Sequence, residues 1–279
     1  MVSIKVKDLC DLHFTYRAFF IQIVNALSYD LRPSLLVMAF LLWLEERNNH
    51  LLVLKLLAKP IEDAKATIRE AQCCINCLVS ESISDCHGDF TSHGVFPHLG
   101  ISLPSLYQTK YTTISGIKRY VKTHCSRIFS DILFEILYGS SKPLPYQPLH
   151  VPGFPDPIFG NVNFTFWQRN HMFDTQEFIW SWHALYVDED DRSLYLTFSH
   201  GFPVSEVEVK EVFTSRFGDC VEIVDMPRLR RNRQILFARV VMRYVETIDL
   251  ILRGSSTAKF KIKGKHVWAK KYRFRRHNM

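Results

Sequence analysis

The residues best suited to chemistry in this chain are cations gathered near its end. Arg228, Arg230, Arg231 and Arg233 fall within six residues, and Lys270, Lys271, Arg273, Arg275 and Arg276 close the chain. Clusters of this kind hold polyanions through their phosphates. A second group, Cys74-Ile75-Asn76-Cys77 with Cys86-His87 and with Cys73, His93 and His98 nearby, has the donor types of a zinc tetrahedron. Its second pair lacks the matching spacing, and its first pair falls in a helical pattern, where cysteine serves as a small buried hydrophobe. No metal or other cofactor is therefore expected. Nothing points to catalysis either: the chain has no phosphate-cradling Gly-rich loop, no nucleophile elbow and no His-Glu-x-x-His. The carboxylate run Asp188-Glu189-Asp190-Asp191 reads as a solvated linker, with a second role open to it as a competitor lying over the basic surface. The expected protein is not an enzyme.

The cations are unevenly spread. Residues 192–279 carry 19 Lys or Arg against 8 Asp or Glu, a net +11, whereas residues 1–191 have a net charge of −4. With 47% hydrophobic and 23% charged residues, a disordered or collagenous chain is excluded, and 279 residues suffice for two domains. Seven cysteines, and no apolar stretch after Met1, predict an intracellular protein with free thiols, in the nucleus or the cytoplasm. The tail cations also fit a nuclear-localisation patch. The longest apolar run, Leu35 to Leu44, is about half of the ~20 residues a bilayer requires, so it predicts a buried helix and no membrane partner.

Elements follow from periodicity. Residues 1–139 predict an α-helical domain: one helix around Leu9–Leu27, one opened by Pro33, then 50–58 and 61–79, a long loop over 80–113, and one amphipathic helix over 114–138 closed by Gly139. Residues 140–191 are a connector rich in proline and aromatic residues, part of which should pack on a neighbour. From residue 192 the pattern alternates: strands at 193–198, 220–226, 235–244, 259–262 and 266–272, and helices at 205–217 and 245–253. The fold class is thus α+β, with an all-α N-terminal domain followed by a ferredoxin-like β-α-β-β-α-β domain over 192–276.

Residues 192–276 resemble the RNA recognition motif (RRM) superfamily. Leu194-Tyr195-Leu196-Thr197-Phe198-Ser199 matches the strand-1 hexapeptide, while Phe217-Gly218 and Ile262 with Gly264 match further landmarks. The strand-3 octapeptide, Ile235 to Met242, keeps Phe237 and Ala238, lacks the leading basic-Gly pair and places Arg239 where a second aromatic is usual. A helical region ahead of such a domain is similar to the architecture of a group of plant RRM-like proteins. Period two puts Tyr195, Phe237, Arg239, Val241, His266, Trp268 and Lys270 on the open side of the sheet.

The resemblance implies single-stranded RNA stacked on Tyr195, Phe237 and Trp268, with Arg239, Lys270, Arg228, Arg230, Arg231 and Arg233 on bases or phosphates. The helical domain would dock a protein partner or a second copy of itself. The alternative is an adaptor whose RRM-like sheet is covered by residues 160–185 or by the helical region, and binds protein rather than RNA.

Overall fold

The structure is a computed structural model, and it describes residues 6–48, 51–80, 95–139, 149–162, 164, 187–200, 203–227 and 234–272. It is α+β, with a helical N-terminal region and a C-terminal antiparallel sheet of five strands. The chain divides into two units: Met1–Leu106 with Gly116–Leu185, and Tyr107–Ser115 with Tyr186–Met279.

In the first unit, α1 (Val6–Ala26), α2 (Leu31–Asn48), α3 (Leu52–Leu57) and α4 (Ile61–Val79) pack through apolar stripes. The run from Leu35 to Leu44 lies within α2 and is buried along its whole length. No helix among the described residues is long and apolar enough to cross a membrane. On α4, Ala64, Thr67, Ile68, Ala71, Cys74, Ile75 and Leu78 recur at three- and four-residue steps and form its buried face.

Two expectations are corrected here. The stretch 80–113 is not one long loop, because α5 (Val95–His98), α6 (Leu103–Gln108) and the start of α7 (Lys110–Tyr120) fall within it. Pro97 and Pro104 sit in first turns, where a missing N–H costs nothing. Phe96 is fully buried, 5.8 Å from the ring of Phe40. Nor is 114–138 a single helix. It runs through α7, a π-helical turn (Val121–Cys125) and α8 (Ser126–Ile128), breaks at Phe129, and resumes as α9 (Ser130–Tyr138). The break falls where the Phe129 ring is fully buried, 4.2 Å from the ring of Phe20.

The described part of the connector is packed. Leu149, Val151, Phe154, Phe159, Val162 and Phe164 are all buried. Buried Asp156 accepts the N–H groups of Ile158 and Phe159 at 2.8 and 2.7 Å and pairs with Arg32. Its remaining aromatics, Phe166, Trp167, Phe173, Phe178, Trp180 and Trp182, lie outside the described residues.

The second unit contains β1 (Ser193–Phe198), α10 (Glu206–Phe217), β2 (Val221–Asp225), β3 (Phe237–Met242), α11 (Glu246–Leu252), β4 (Thr257–Ile262) and β5 (Lys265–Lys271). Spatial order is β2-β3-β1-β5-β4. The hairpin at 259–272 therefore adds an edge strand, β4, to the four-strand pattern. Its turn needs positive φ at Lys263 (47°) and Gly264 (80°), which glycine supplies without strain at the second position. Leu194, Leu196, Phe198, Ala238, Val240, Met242, Phe260, Ile262, Val267 and Ala269 alternate onto one side, where they meet Val209 and Phe213 of α10 and Ile248, Ile251 and Leu252 of α11. Each such burial stabilises by roughly 1.5–3 kcal/mol for the larger side chains.

Helix ends are tied down. Ser205 Oγ accepts the Glu208 N–H at 3.3 Å, and the Glu208 carboxylate accepts the Ser205 N–H at 2.8 Å. That backbone bond and Lys263, 3.0 Å away, hold the Glu208 carboxyl down to about 2. Tyr107–Ser115, expected among the helices of 1–139, belongs with the sheet. Asp249 of α11 accepts the N–H of Tyr111 at 3.3 Å, the N–H of Thr112 at 3.1 Å and the Thr112 hydroxyl. Its carboxylate thus serves the orphan donors at the start of α7.

Candidate nucleic-acid interface

With the helices on one side, the other side of the sheet displays Ser193, Tyr195 and Thr197 of β1, Phe237, Arg239 and Val241 of β3, His266, Trp268 and Lys270 of β5, and Thr257, Lys259 and Lys261 of β4. Antiparallel register sets the neighbours. Tyr195 lies opposite Arg239 on one flank and Lys270 on the other, and Thr197 lies between Phe237 and Trp268.

The aromatic residues singled out in the sequence are brought together. The rings of Tyr195 and Phe237 stack 5.5 Å apart with 17° between their planes. Phe237 is 42% exposed and Trp268 50% exposed, values that few large apolar side chains reach in a settled core. Lys270 Nζ stands 5.3 Å from the centre of the Tyr195 ring, and Lys259 Nζ 5.3 Å from that of Trp268. The half-buried Tyr195 ring on β1 and the exposed Trp268 ring on β5 therefore each carry an ammonium.

Arg239 shares the face but is already occupied. Its guanidinium lies 2.9 Å from Asp190 and 3.5 Å from Glu189, its Nε donates to Ser193 Oγ at 3.2 Å, and its Cζ is 4.7 Å from the centre of the Tyr272 ring. The acidic run 188–191 is thus a turn bound at the sheet and not a purely solvated linker. Asp191 donates its N–H to the Asp188 carbonyl, and Ser193 Oγ donates to the carbonyl of Glu189. Val241, expected on the open side, has that orientation but is only 1% exposed, and its register partner Ser193 is fully buried. The open face consequently stops short at this end.

Arg228, Arg230, Arg231 and Arg233, and the tail cations Arg273, Arg275 and Arg276, lie outside the described residues. So do Cys86, His87 and His93 of the zinc candidate. Cys74 is fully buried on α4, and burial pushes its thiol well above the ordinary range, which suits a packing role and not a metal ligand. Cys77 is disulfide-bonded, a departure from the free-thiol expectation, whereas Cys10, Cys74, Cys125 and Cys220 are not.

The sequence places Lys259 and Lys261 on a strand but outside the candidate site, although Lys259-Phe260-Lys261 has the period-two signature of a strand with a basic side. Asp249 gave no signal at all, since a lone carboxylate in a short helix is ordinary. No protein-family model, curated protein or solved structure matches the chain.

Proposed function

We propose that this is a non-enzymatic RNA-binding protein, present in the nucleus or the cytoplasm, whose C-terminal domain is RRM-like and takes single-stranded RNA on its open sheet. The observation that carries the reading is the group of half-buried Tyr195 with exposed Phe237 and Trp268, with Lys270 and Lys259 held over two of the rings. Stacked rings accept unpaired bases at about 1–3 kcal/mol per base, and neighbouring ammonium groups accept the phosphates. A ferredoxin-like ancestry is supported by the β2-β3-β1-β5 order of the inner four strands and by both helices packing on one side. On this reading Arg228, Arg230, Arg231 and Arg233, in the connection between β2 and β3, add phosphate contacts, and the helical unit docks a protein.

One observation favours the second reading, an adaptor whose sheet binds protein. Arg239, which stands where a second stacking aromatic is usual, is engaged by Glu189 and Asp190. The two readings separate in a fluorescence-anisotropy titration of the full chain with labelled single-stranded RNA. Tyr195→Ala/Phe237→Ala loses at least ~1 kcal/mol of binding if the rings stack bases. Retained affinity in that variant, or no binding by the unmodified chain at low salt, favours the adaptor.

A further inference from the structure

We infer that single-stranded RNA crosses the β1–β5–β4 half of the open face, with its phosphates held by Lys259, Lys261 and Lys270, and bypasses Arg239 on β3. This rests on the RNA reading above and deepens it by giving the strand a path and by bringing β4 into the site.

The two halves of the face differ in charge. On β4 and β5, Lys259, Lys261 and Lys270 are exposed, and no carboxylate among the described residues pairs with them. Lys259 is in register with Trp268 and Lys270 with Tyr195, so a ring beside an ammonium recurs on adjacent strands. Neighbouring strands lie ~4.8 Å apart, within the step of an extended nucleotide chain, so one base and one phosphate are served at each step. Phe237, stacked on Tyr195, borders the path.

Among the described residues, carboxylates surround the one cation that β3 and β2 place on this face. Glu189 and Asp190 neutralise Arg239, and exposed Asp225 stands opposite Arg239 on β2. A phosphate arriving there meets a guanidinium already paired with two carboxylates, with Asp225 on the neighbouring strand. Beyond Arg239 the face is closed, with Ser193 and Val241 both buried. Arg239 on this account anchors the acidic turn and does not touch the RNA.

The test is a salt series of anisotropy titrations, using full-length protein and a fluorescein-labelled single-stranded RNA 12-mer of mixed sequence. In single strands each phosphate contact contributes ~0.7 to the slope of log K against log salt. Lys259→Gln/Lys261→Gln is expected to reduce that slope by about 1.4 and affinity by about fivefold per lysine at 0.1 M salt. Arg239→Gln and Lys210→Gln, the latter on exposed α10 surface, should leave the slope unchanged. Circular dichroism melting confirms that each variant is folded. The proposed path is overturned alone if the unmodified chain binds and the double lysine variant keeps its slope, or if Arg239→Gln loses as much. Absence of binding by the unmodified chain overturns the RNA reading, and the path with it.

Discussion

Gly116 and the exposed rings illustrate opposite demands on single residues. A Cβ at Gly116 would overlap the indole of Trp43, a side chain only 6% exposed, so neither partner has room to yield. Gly116→Ala should therefore destabilise by about 1–3 kcal/mol, read as a lower denaturant midpoint, and an unchanged midpoint would contradict this packing. At Trp268 the logic reverses, because half of the side chain is in solvent and folding gains little from it. Trp268→Ala should leave stability nearly unchanged while weakening RNA binding by ~1–3 kcal/mol. A variant that unfolds but binds in proportion to its folded fraction would place Trp268 in the core instead. Tyr195, Phe237, Arg239 and Lys270 were legible in the sequence because alternation along a strand assigns a side with no tertiary information. That the acidic run can lie over the basic surface was legible too, but its pairing with Arg239 was not, because it depends on a turn folding back onto its own sheet.

At the scale of elements, the junction of α7 with α11 is the most sensitive feature. Burial pushes the Asp249 carboxyl up to about 6, above the ordinary 3.8, despite the Thr112 hydroxyl and the N–H groups of Thr112 and Tyr111. The folded form therefore retains a proton that the unfolded form has lost, and stability falls as pH rises from about 4 to about 6. The difference amounts to roughly 3 kcal/mol across that window. A carbon-13 NMR titration of the Asp249 carboxyl, assigned by its loss in Asp249→Asn, should have its midpoint near 6. A midpoint near 4 would mean that the hydrogen bonds outweigh burial. The elements themselves were largely readable: α4 and β1 fall where periodicity puts them, since a buried stripe and an alternating strand are local patterns. The helices within 80–113 were hidden by prolines that read as breakers yet sit in first turns, and the break at Phe129 was hidden because Ile114–Tyr138 keeps its amphipathic rhythm across it.

For the whole molecule, the sequence divided the charge correctly into an acidic first part and a basic last part but could not distribute it over a surface. The structure separates the cations of β4 and β5 from the carboxylates beside β3, and on the proposed reading that separation gives phosphate binding a direction. Fold class was legible for the same reason that the elements were, and the strand at 259–262 with its turn at Lys263-Gly264 was legible too; only its place at the edge of the sheet was not. The central claim is that unpaired bases rest on this sheet. Ultraviolet cross-linking of the full-length chain to single-stranded RNA, with mass spectrometry of the joined peptides, tests it most directly. Adducts at Tyr195, Phe237 or Trp268 are predicted; adducts confined to the helical unit, or none under conditions where a control RNA-binding protein cross-links, would contradict it.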